Sequence, residues 1–134
     1  MAATEDLAFA GVVEQAELVR SGSVSARELT GLSLERIARL DPQLNAFRTV
    51  LAERAVEEAE RADQRRASGE TGPLLGVPIA VKDNVDVAGE VTAHGTNAYG
   101  GAAIDDAHMV KRLREAGVRD RRREARLGVR KELT

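Results

Sequence analysis

One apolar run, bounded on both sides by residues that interrupt regular structure, constrains this chain more than any other feature. It lies between Gly72-Pro73 and Lys82-Asp83-Asn84. A run of this length between turn residues is typical of a buried β-strand. Pro78 lies near its start, where a missing N–H is best tolerated. We therefore predict a strand over residues 77–82.

Alternation along this strand divides its side chains into two sets. Val77, Ile79 and Val81 face one way, and Ala80 and Lys82 face the other. Lys82 would then lie at the edge of an apolar layer, where burial favours a neutral amine, the form that can act as a base. Pattern alone favours the plainer interpretation that Lys82 is a solvated strand end.

Composition excludes several classes of protein. The chain has 134 residues, which fits one globular domain or a piece of a larger one. It has no cysteine, so disulfides and thiolate metal sites are excluded. The net charge of -2 gives no polyelectrolyte signature, and no stretch reaches the ~20 apolar residues of a membrane span. Glu5 and Asp6 stand where a signal peptide carries basic residues, so we expect a cytoplasmic protein without membrane or nucleic-acid partners.

Helix signals flank the predicted strand on both sides. Ser25 and Glu28 form a capping box at a helix start, and Asp41-Pro42 predicts the end of that helix. The full set of predicted elements is helices over about 7–20, 26–41, 52–67 and 106–117, and strands over 44–51 and 77–82. This order indicates an α/β fold in which the two N-terminal helices form an accessory layer.

The two histidines give no sign of a metal site. Neither His94 nor His108 has a second histidine or a cysteine at ligand spacing, so we interpret both as ordinary surface or loop residues. The charged residues of the predicted helix over 52–67 indicate a solvated face, supported by a Glu57–Arg61 pair at i,i+4. Asp105 or Asp106 can cap the last predicted helix, whose charged residues are also expected on its outer face: Lys111, Arg112, Arg114 and Glu115. We predict no metal and no cofactor.

Two segments resemble the amidase signature family. They are Gly76-Val-Pro-Ile-Ala-Val-Lys82-Asp-Asn84-Val-Asp-Val-Ala-Gly89 and its continuation through Thr92 and Gly95 to Asp105-Asp-Ala-His-Met-Val-Lys-Arg-Leu-Arg-Glu-Ala-Gly117. Residues 18–29 and 41–47 are similar to that family's N-terminal helices and first strand. The resemblance covers residues 10–118. It implies the N-terminal helices and first strands of an amidase-signature-type mixed sheet, truncated.

The same resemblance implies a chemistry for Lys82. Members of this family hydrolyse carboxamides or transfer their amide nitrogen, using a nucleophilic serine, a second serine in a cis peptide, and a lysine. Lys82 matches that lysine, which accepts a proton from the bridging serine. Asp83 and Asn84 would hold the local turn without a catalytic role.

The chain departs from the family after Gly117. Both family serines lie in a downstream glycine- and serine-rich segment that is missing here. The five serines present all precede Lys82: Ser21, Ser23, Ser25, Ser33 and Ser68. The charge balance also changes, from 13 - 19 = -6 over residues 1–118 to 7 - 3 = +4 over residues 119–134.

These observations divide the chain into two parts. Residues 1–118 are the N-terminal part of an amidase domain, and residues 119–134 are a basic tail foreign to the family, disordered or derived from a reading-frame shift. Arg119-Asp120-Arg121-Arg122 can be encoded by codons that, read one base later, give Ala-Ile-Val-Gly, the kind of strand the family has here. The rival interpretation of the tail is a basic arm for nucleic acid.

The resemblance predicts an amide hydrolase that acts on small carboxamides and is represented here by an N-terminal fragment, inactive alone. One alternative is a fragment of an amidotransferase subunit that generates ammonia for transfer-RNA amidation. Another is a non-catalytic remnant that associates with itself or docks on a full-length homologue through exposed apolar surface. We also expect the two predicted strands to leave unpaired edges.

Overall fold

The computed structural model describes residues 4–98, 100–117 and 129–131. It contains helices and strands in mixed order, which confirms the predicted α/β class. In chain order the elements are α1 (Thr4–Phe9), α2 (Val12–Ser21), α3 (Ala26–Leu44), β1 (Phe47–Val50), α4 (Ala52–Ala67), β2 (Val81–Lys82), α5 (His108–Gly117) and β3 (Val129–Lys131). Within these ranges, no helix combines the length and the apolar character needed to cross a membrane.

The first hydrophobic core joins three helices to the segment before β2. Its buried members are Val19 of α2, Ala26 and Leu29 of α3, Ala59 and Ala62 of α4, and Leu75. Small alanines on α4 let that helix lie close to α3. Val24, which precedes the α3 cap, packs against the same core, as expected for the residue before a capping box.

The start of α3 is held by its own cap and by α4. The predicted capping box is confirmed: the Glu28 N–H donates to Ser25 Oγ at 3.0 Å, and the Ser25 N–H donates to Glu28 Oε2 at 2.8 Å. In addition, the Asp63 carboxylate of α4 accepts the backbone N–H groups of Ala26 at 2.8 Å and Arg27 at 3.0 Å. These donors would otherwise lack partners at a helix start, so the contact fixes α4 against α3.

A second, smaller core lies beneath β2. It consists of Val81, Val87 and Val110, with Ile79, Val85 and Ala107 packed around them. Val110 is fully buried and comes from α5. This core therefore joins the end of the apolar run, the turn after it and the last described helix.

The three strands form one mixed sheet in the order β1-β3-β2. β3 runs antiparallel to β1, with Val50 opposite Val129, and parallel to β2, with Val81 beside Arg130. The two strands predicted from sequence thus do not pair with each other, and both remain edge strands among the described residues. Residues 129–131 of the tail form β3, while 118–128 and 132–134 lie outside the described residues.

The predicted helix boundaries were wrong at three places. The helix predicted over 7–20 is interrupted at Gly11, whose extended backbone (ψ 163°) begins α2 instead. α3 continues through Pro42 to Leu44. Asn45 then ends the helix in a left-handed conformation, with its N–H bonded to the Asp41 carbonyl at 2.7 Å.

The third correction concerns Asp106, which the sequence offered as an N-cap. α5 begins only at His108. The Asp106 carboxylate instead accepts the Ala88 N–H at 2.8 Å and the Nε–H of Arg114 at 2.7 Å. In contrast, α4 has the predicted bounds of Ala52–Ala67.

The strand predicted over 77–82 is reduced to two residues in the structure. Upstream of it the backbone turns, since the Leu75 N–H donates to Gly72 O at 3.2 Å and the Val77 N–H donates to Leu74 O at 3.1 Å. Pro78 has no N–H to contribute to a ladder. The apolar run therefore packs mostly on helices and becomes a strand only at Val81.

Candidate functional site

The side chains around Lys82 alternate as predicted. Val81 and Asp83 are buried, whereas Ala80, Lys82 and Asn84 are exposed. The exposure of Lys82 agrees with the plainer interpretation of a solvated strand end, and the described residues do not bury this side chain. Among the described side chains, the Lys82 amine has no hydrogen-bond or ion-pair partner.

Asp83, directly after Lys82, is the most firmly held polar residue of the site. It is 3% exposed. Its carboxylate accepts from Arg48 twice, Nε to Oδ2 and Nη2 to Oδ1, both at 3.1 Å. The Ala93 N–H donates to Oδ1 at 3.3 Å, and the His94 N–H donates to the Asp83 backbone oxygen at 3.1 Å. Two parallel N–H bonds to one carboxylate are among the strongest polar contacts in proteins.

Arg48 extends this contact to the loop after β2. Its Nη2 also donates to the Val91 carbonyl at 2.6 Å. Arg48 comes from β1, so one guanidinium connects β1, the end of β2 and residues 91–94. The sequence-based expectation that Asp83 holds the local turn agrees with these bonds, but Arg48 was not identified from sequence.

The loop between β2 and α5 is closed by its own hydrogen bonds. The Gly89 N–H donates to Ala103 O, and the Ala103 N–H donates to Glu90 O, both at 2.8 Å. Near the base of the loop, Thr92 Oγ1 donates to Asp86 Oδ1 at 2.5 Å. These bonds hold residues 86–94, called the wall from here on, beside the end of β2.

A chain of alternating charges ties this wall to α4 and α5. Its successive ion pairs are Glu90–Arg54 at 3.1 Å, Arg54–Glu58 at 3.8 Å, Glu58–Arg114 at 4.0 Å and Arg114–Asp106 at 2.7 Å. Glu58 and Arg114 were both predicted to lie on solvated helix faces, which is wrong because each is largely buried. The Arg54–Glu58 pair is local, at i,i+4, but Glu58 and Arg114 come from different helices, so no local pattern could reveal that pairing.

The two histidines are exposed, as predicted for loop or surface residues. His94 lies in the wall with a left-handed backbone, φ 52°, and His108 is the first residue of α5. Across the described ranges, no group of three or more histidine, aspartate or glutamate residues is placed to hold a metal ion.

The serines of the chain are engaged in local structure. Ser25 caps α3, Ser33 Oγ donates to Leu29 O at 3.1 Å, and Ser68 Oγ donates to Arg65 O at 2.8 Å. Ser21 and Ser23 share a hydrogen bond of 2.9 Å. Each hydroxyl thus has a role in a cap, turn or helix before β2, which leaves Lys82 as the one predicted site residue at the strand end.

Comparison with known proteins identifies relatives over most of the chain. The family model described as Amidase matches residues 28–119. AmiB2 of Mycobacterium tuberculosis, named as an amidase, is 54% identical over 112 residues, which cover 84% of this chain and 24% of AmiB2. A glutamyl-tRNA(Gln) amidotransferase subunit of Pseudomonas entomophila is 50% identical over 97 residues, which cover 72% of this chain and 20% of that protein.

Solved structures show the same relationship. The native peptide amidase of Stenotrophomonas maltophilia superposes with a TM-score of 0.72 at 36% identity, over 79% of this chain and 22% of the peptide amidase. The described elements therefore have the arrangement found in one part of that enzyme. The chain spans about a quarter of the length of the curated relatives it matches.

Proposed function

The chain belongs to the amidase family, and on that premise we propose that it is the N-terminal part of an amide hydrolase that cleaves carboxamide C–N bonds. Lys82 is the proton-accepting base of a Ser-cisSer-Lys triad. The two serines would come from polypeptide that this chain does not contain, since its own five serines all serve local structure.

In the proposed reaction, the Lys82 amine takes the proton of the bridging serine. That serine in turn takes the proton of the nucleophilic serine as its oxygen attacks the amide carbon. The leaving nitrogen departs as ammonia or an amine after it receives a proton that Lys82 returns through the bridging serine, and water then hydrolyses the acyl-serine ester to give the acid and the free serine. Lys82 must be neutral to begin this sequence.

The observation that supports this role is the contrast between Lys82 and Asp83. Asp83 is buried and held by Arg48 and Ala93, whereas the Lys82 amine projects from the same strand end without a partner among the described side chains. A reactive amine on a fixed backbone is the arrangement that a general base requires.

An assay of the purified chain tests the first part of the proposal. We expect no ammonia release from benzamide or acetamide above the buffer rate, because both serine positions are missing. Turnover that disappears in Lys82→Ala would contradict the proposal that the chain is inert alone.

A chimaera tests the role of Lys82 itself. Residues 28–117 would replace the corresponding segment of the Stenotrophomonas peptide amidase, and ammonia release from a peptide amide would be measured. We expect Lys82→Ala to lower kcat by about 10²–10⁴-fold, the usual contribution of a general base. Lys111→Ala is the matched control, since this lysine is also exposed and, within the described part of the chain, pairs with Asp105 alone, at 3.0 Å. Equal rates in the two variants would contradict the assignment.

The relative at 50% identity supports a second candidate, a fragment of an amidotransferase subunit that generates ammonia for transfer-RNA amidation. The DNA that follows codon 118 separates the candidates, because the downstream segment carries the substrate pocket. We expect a serine-rich amidase segment there in another reading frame. Its absence from every frame would contradict the frameshift proposal.

Exposed apolar side chains support the proposed association with a full-length homologue. Among the described residues, the apolar side chains with the greatest exposed fraction include Phe9, Val13, Leu44 and Ile104. Because the chain spans about a quarter of its relatives, we expect the rest of an amidase fold to cover such residues. Size-exclusion chromatography with a full-length homologue should show a mixed complex, and self-association alone would contradict this partner.

A further inference from the structure

We propose that Arg48 and Asp83 together act as a positioning clamp that sets the location of the Lys82 backbone and of the wall beside it. This inference rests on the proposed role of Lys82. Neither clamp residue touches the reacting atoms, and both act through the groups they hold.

The clamp joins three parts of the site through one ion pair. Arg48 donates to both Asp83 oxygens at 3.1 Å and to the Val91 carbonyl at 2.6 Å. Asp83 accepts the Ala93 N–H on its side chain and the His94 N–H on its backbone oxygen. The strand end and residues 91–94 therefore cannot move apart without breaking charge-assisted bonds.

The same bonds fix Lys82 because it is covalently next to Asp83 and closes the turn that follows. The Val85 N–H donates to the Lys82 carbonyl at 3.0 Å. The Lys82 carbonyl is bonded within this turn and the Asp83 side chain is bonded to Arg48, so the direction of the backbone at the end of β2 is fixed. The position of the Lys82 Cα follows from that direction.

The burial of Asp83 favours a positioning role over a contribution to global stability. Burying a charged group carries a desolvation penalty that can exceed its attraction to a partner, so this ion pair is weak evidence for stability, and we infer that it specifies geometry. Asp83 is 3% exposed, and a valine there would continue the apolar face begun by Val81. The clamp connects β1, β2 and the wall despite the cost of burying Asp83. We therefore expect its role to be fixing the relative positions of these three parts.

The test uses the full chain without substrate, so its outcome does not depend on amide hydrolysis. Asp83→Asn keeps the shape of the side chain and removes its charge. Arg48→Lys keeps the cation but cannot make the two parallel bonds to Asp83 together with the bond to the Val91 carbonyl, and it serves if Asp83→Asn does not fold. Asp63→Asn is the matched control, because Asp63 also accepts two N–H bonds but belongs to α4 and contacts the start of α3, away from the clamp.

Two measurements report on the clamp. Amide hydrogen exchange is followed at Val85, Ala93 and His94, with core amides of α4 as the reference. The amines are also converted to dimethyl-lysine, which keeps the charge, and the NMR signals of Lys82 and Lys111 are compared. We expect each clamp variant to speed exchange at the three amides by about 10- to 100-fold, as for loss of a charge-assisted bond.

If the clamp positions Lys82 and the wall, its loss should change amide exchange and NMR signals only near these groups. Exchange in α4 and the Lys111 signal should stay unchanged, while the Lys82 signal shifts. Asp63→Asn should leave the three amides and the Lys82 signal as in the parent. A uniform rise in exchange over the whole chain, or an unchanged Lys82 signal in both clamp variants, would overturn the proposal. Failure of the chimaera assay with a positive result here would reject the catalytic role of Lys82 and leave the clamp standing.

Discussion

Replacing Gly76 with alanine should destabilise the fold more than replacing any glycine in open space. Gly76 has φ 80°, and a Cβ built there would lie 2.7 Å from the Cβ of Ala26 and 2.9 Å from Cγ1 of Val19. Both neighbours are fully buried in the first core. Neither can move aside without displacing α2 or α3, so the added methyl group has nowhere to go.

The expected loss in the free energy of unfolding of Gly76→Ala has two parts. A left-handed backbone costs a non-glycine residue roughly 1–2 kcal/mol. Forcing an extra methyl group into a packed core costs typically about 1–3 kcal/mol more. Gly69 separates the two, since it has φ 88° but nothing within 4 Å of its Cβ position. Gly69→Ala should therefore show only the first part, and the change in unfolded-state entropy is common to both variants.

Urea unfolding followed by far-UV circular dichroism measures both variants against the parent. We expect the free energy of unfolding to fall by about 2–5 kcal/mol in Gly76→Ala and by about 1–2 kcal/mol in Gly69→Ala, with similar m-values. The difference of about 1–3 kcal/mol is the cost of the close approach to Ala26. Equal losses in the two variants would refute this packing.

Three further substitutions test other parts of the fold by the same unfolding assay. Gly31→Ala should raise stability by up to about 1 kcal/mol, because Gly31 lies inside α3 and its Cβ position is open, and a decrease would contradict that geometry. Val110→Ala should cost about 2–3 kcal/mol, since this side chain is fully buried under β2, whereas a neutral result would place the second core elsewhere. The Ser25 backbone N–H, followed by the Ser25 hydroxyl, holds the pKa of Glu28 below its ordinary 4.5. The capping box should therefore stabilise α3 fully above that pH and progressively less as the pH falls through the lower pKa of Glu28 in the folded chain. Glu28→Gln should remove this pH dependence of the free energy of unfolding. An identical pH profile in Glu28→Gln would show that Glu28 is not its source.

Features determined by neighbouring residues could be predicted from sequence. The capping box of Ser25 and Glu28 needs only four residues, and the bounds of α4 follow from an alanine-rich segment between a strand and a loop. The exposed and buried sides of the stretch 77–83 follow from a period of two. These rules depend on backbone geometry and not on what the segment later meets.

Features determined by distant partners could not be predicted in this way. Arg114 was assigned to a solvated face because charged residues usually are, yet Asp106 and Glu58 neutralise it inside the fold. The end of α3 was placed at Asp41 because proline disfavours a helix before it. In the structure α3 instead continues past Pro42 to Leu44, and the Asp41 carboxylate accepts the N–H groups of Ala46 and Phe47 beyond its end, at 2.7 and 3.1 Å.

Asp83 lies between these two cases. The period of two that separates Val81 from Lys82 also puts Asp83 on the buried side, and a buried carboxylate requires a cation or several donors. The sequence therefore implied a partner for Asp83, although it could not show that the partner is Arg48, 35 residues earlier and on another strand. The alternation that exposes the Lys82 amine thus places beside it the carboxylate that holds its backbone. For this reason a loss of Lys82 function in Asp83→Asn would be a loss of position and not of a proton acceptor.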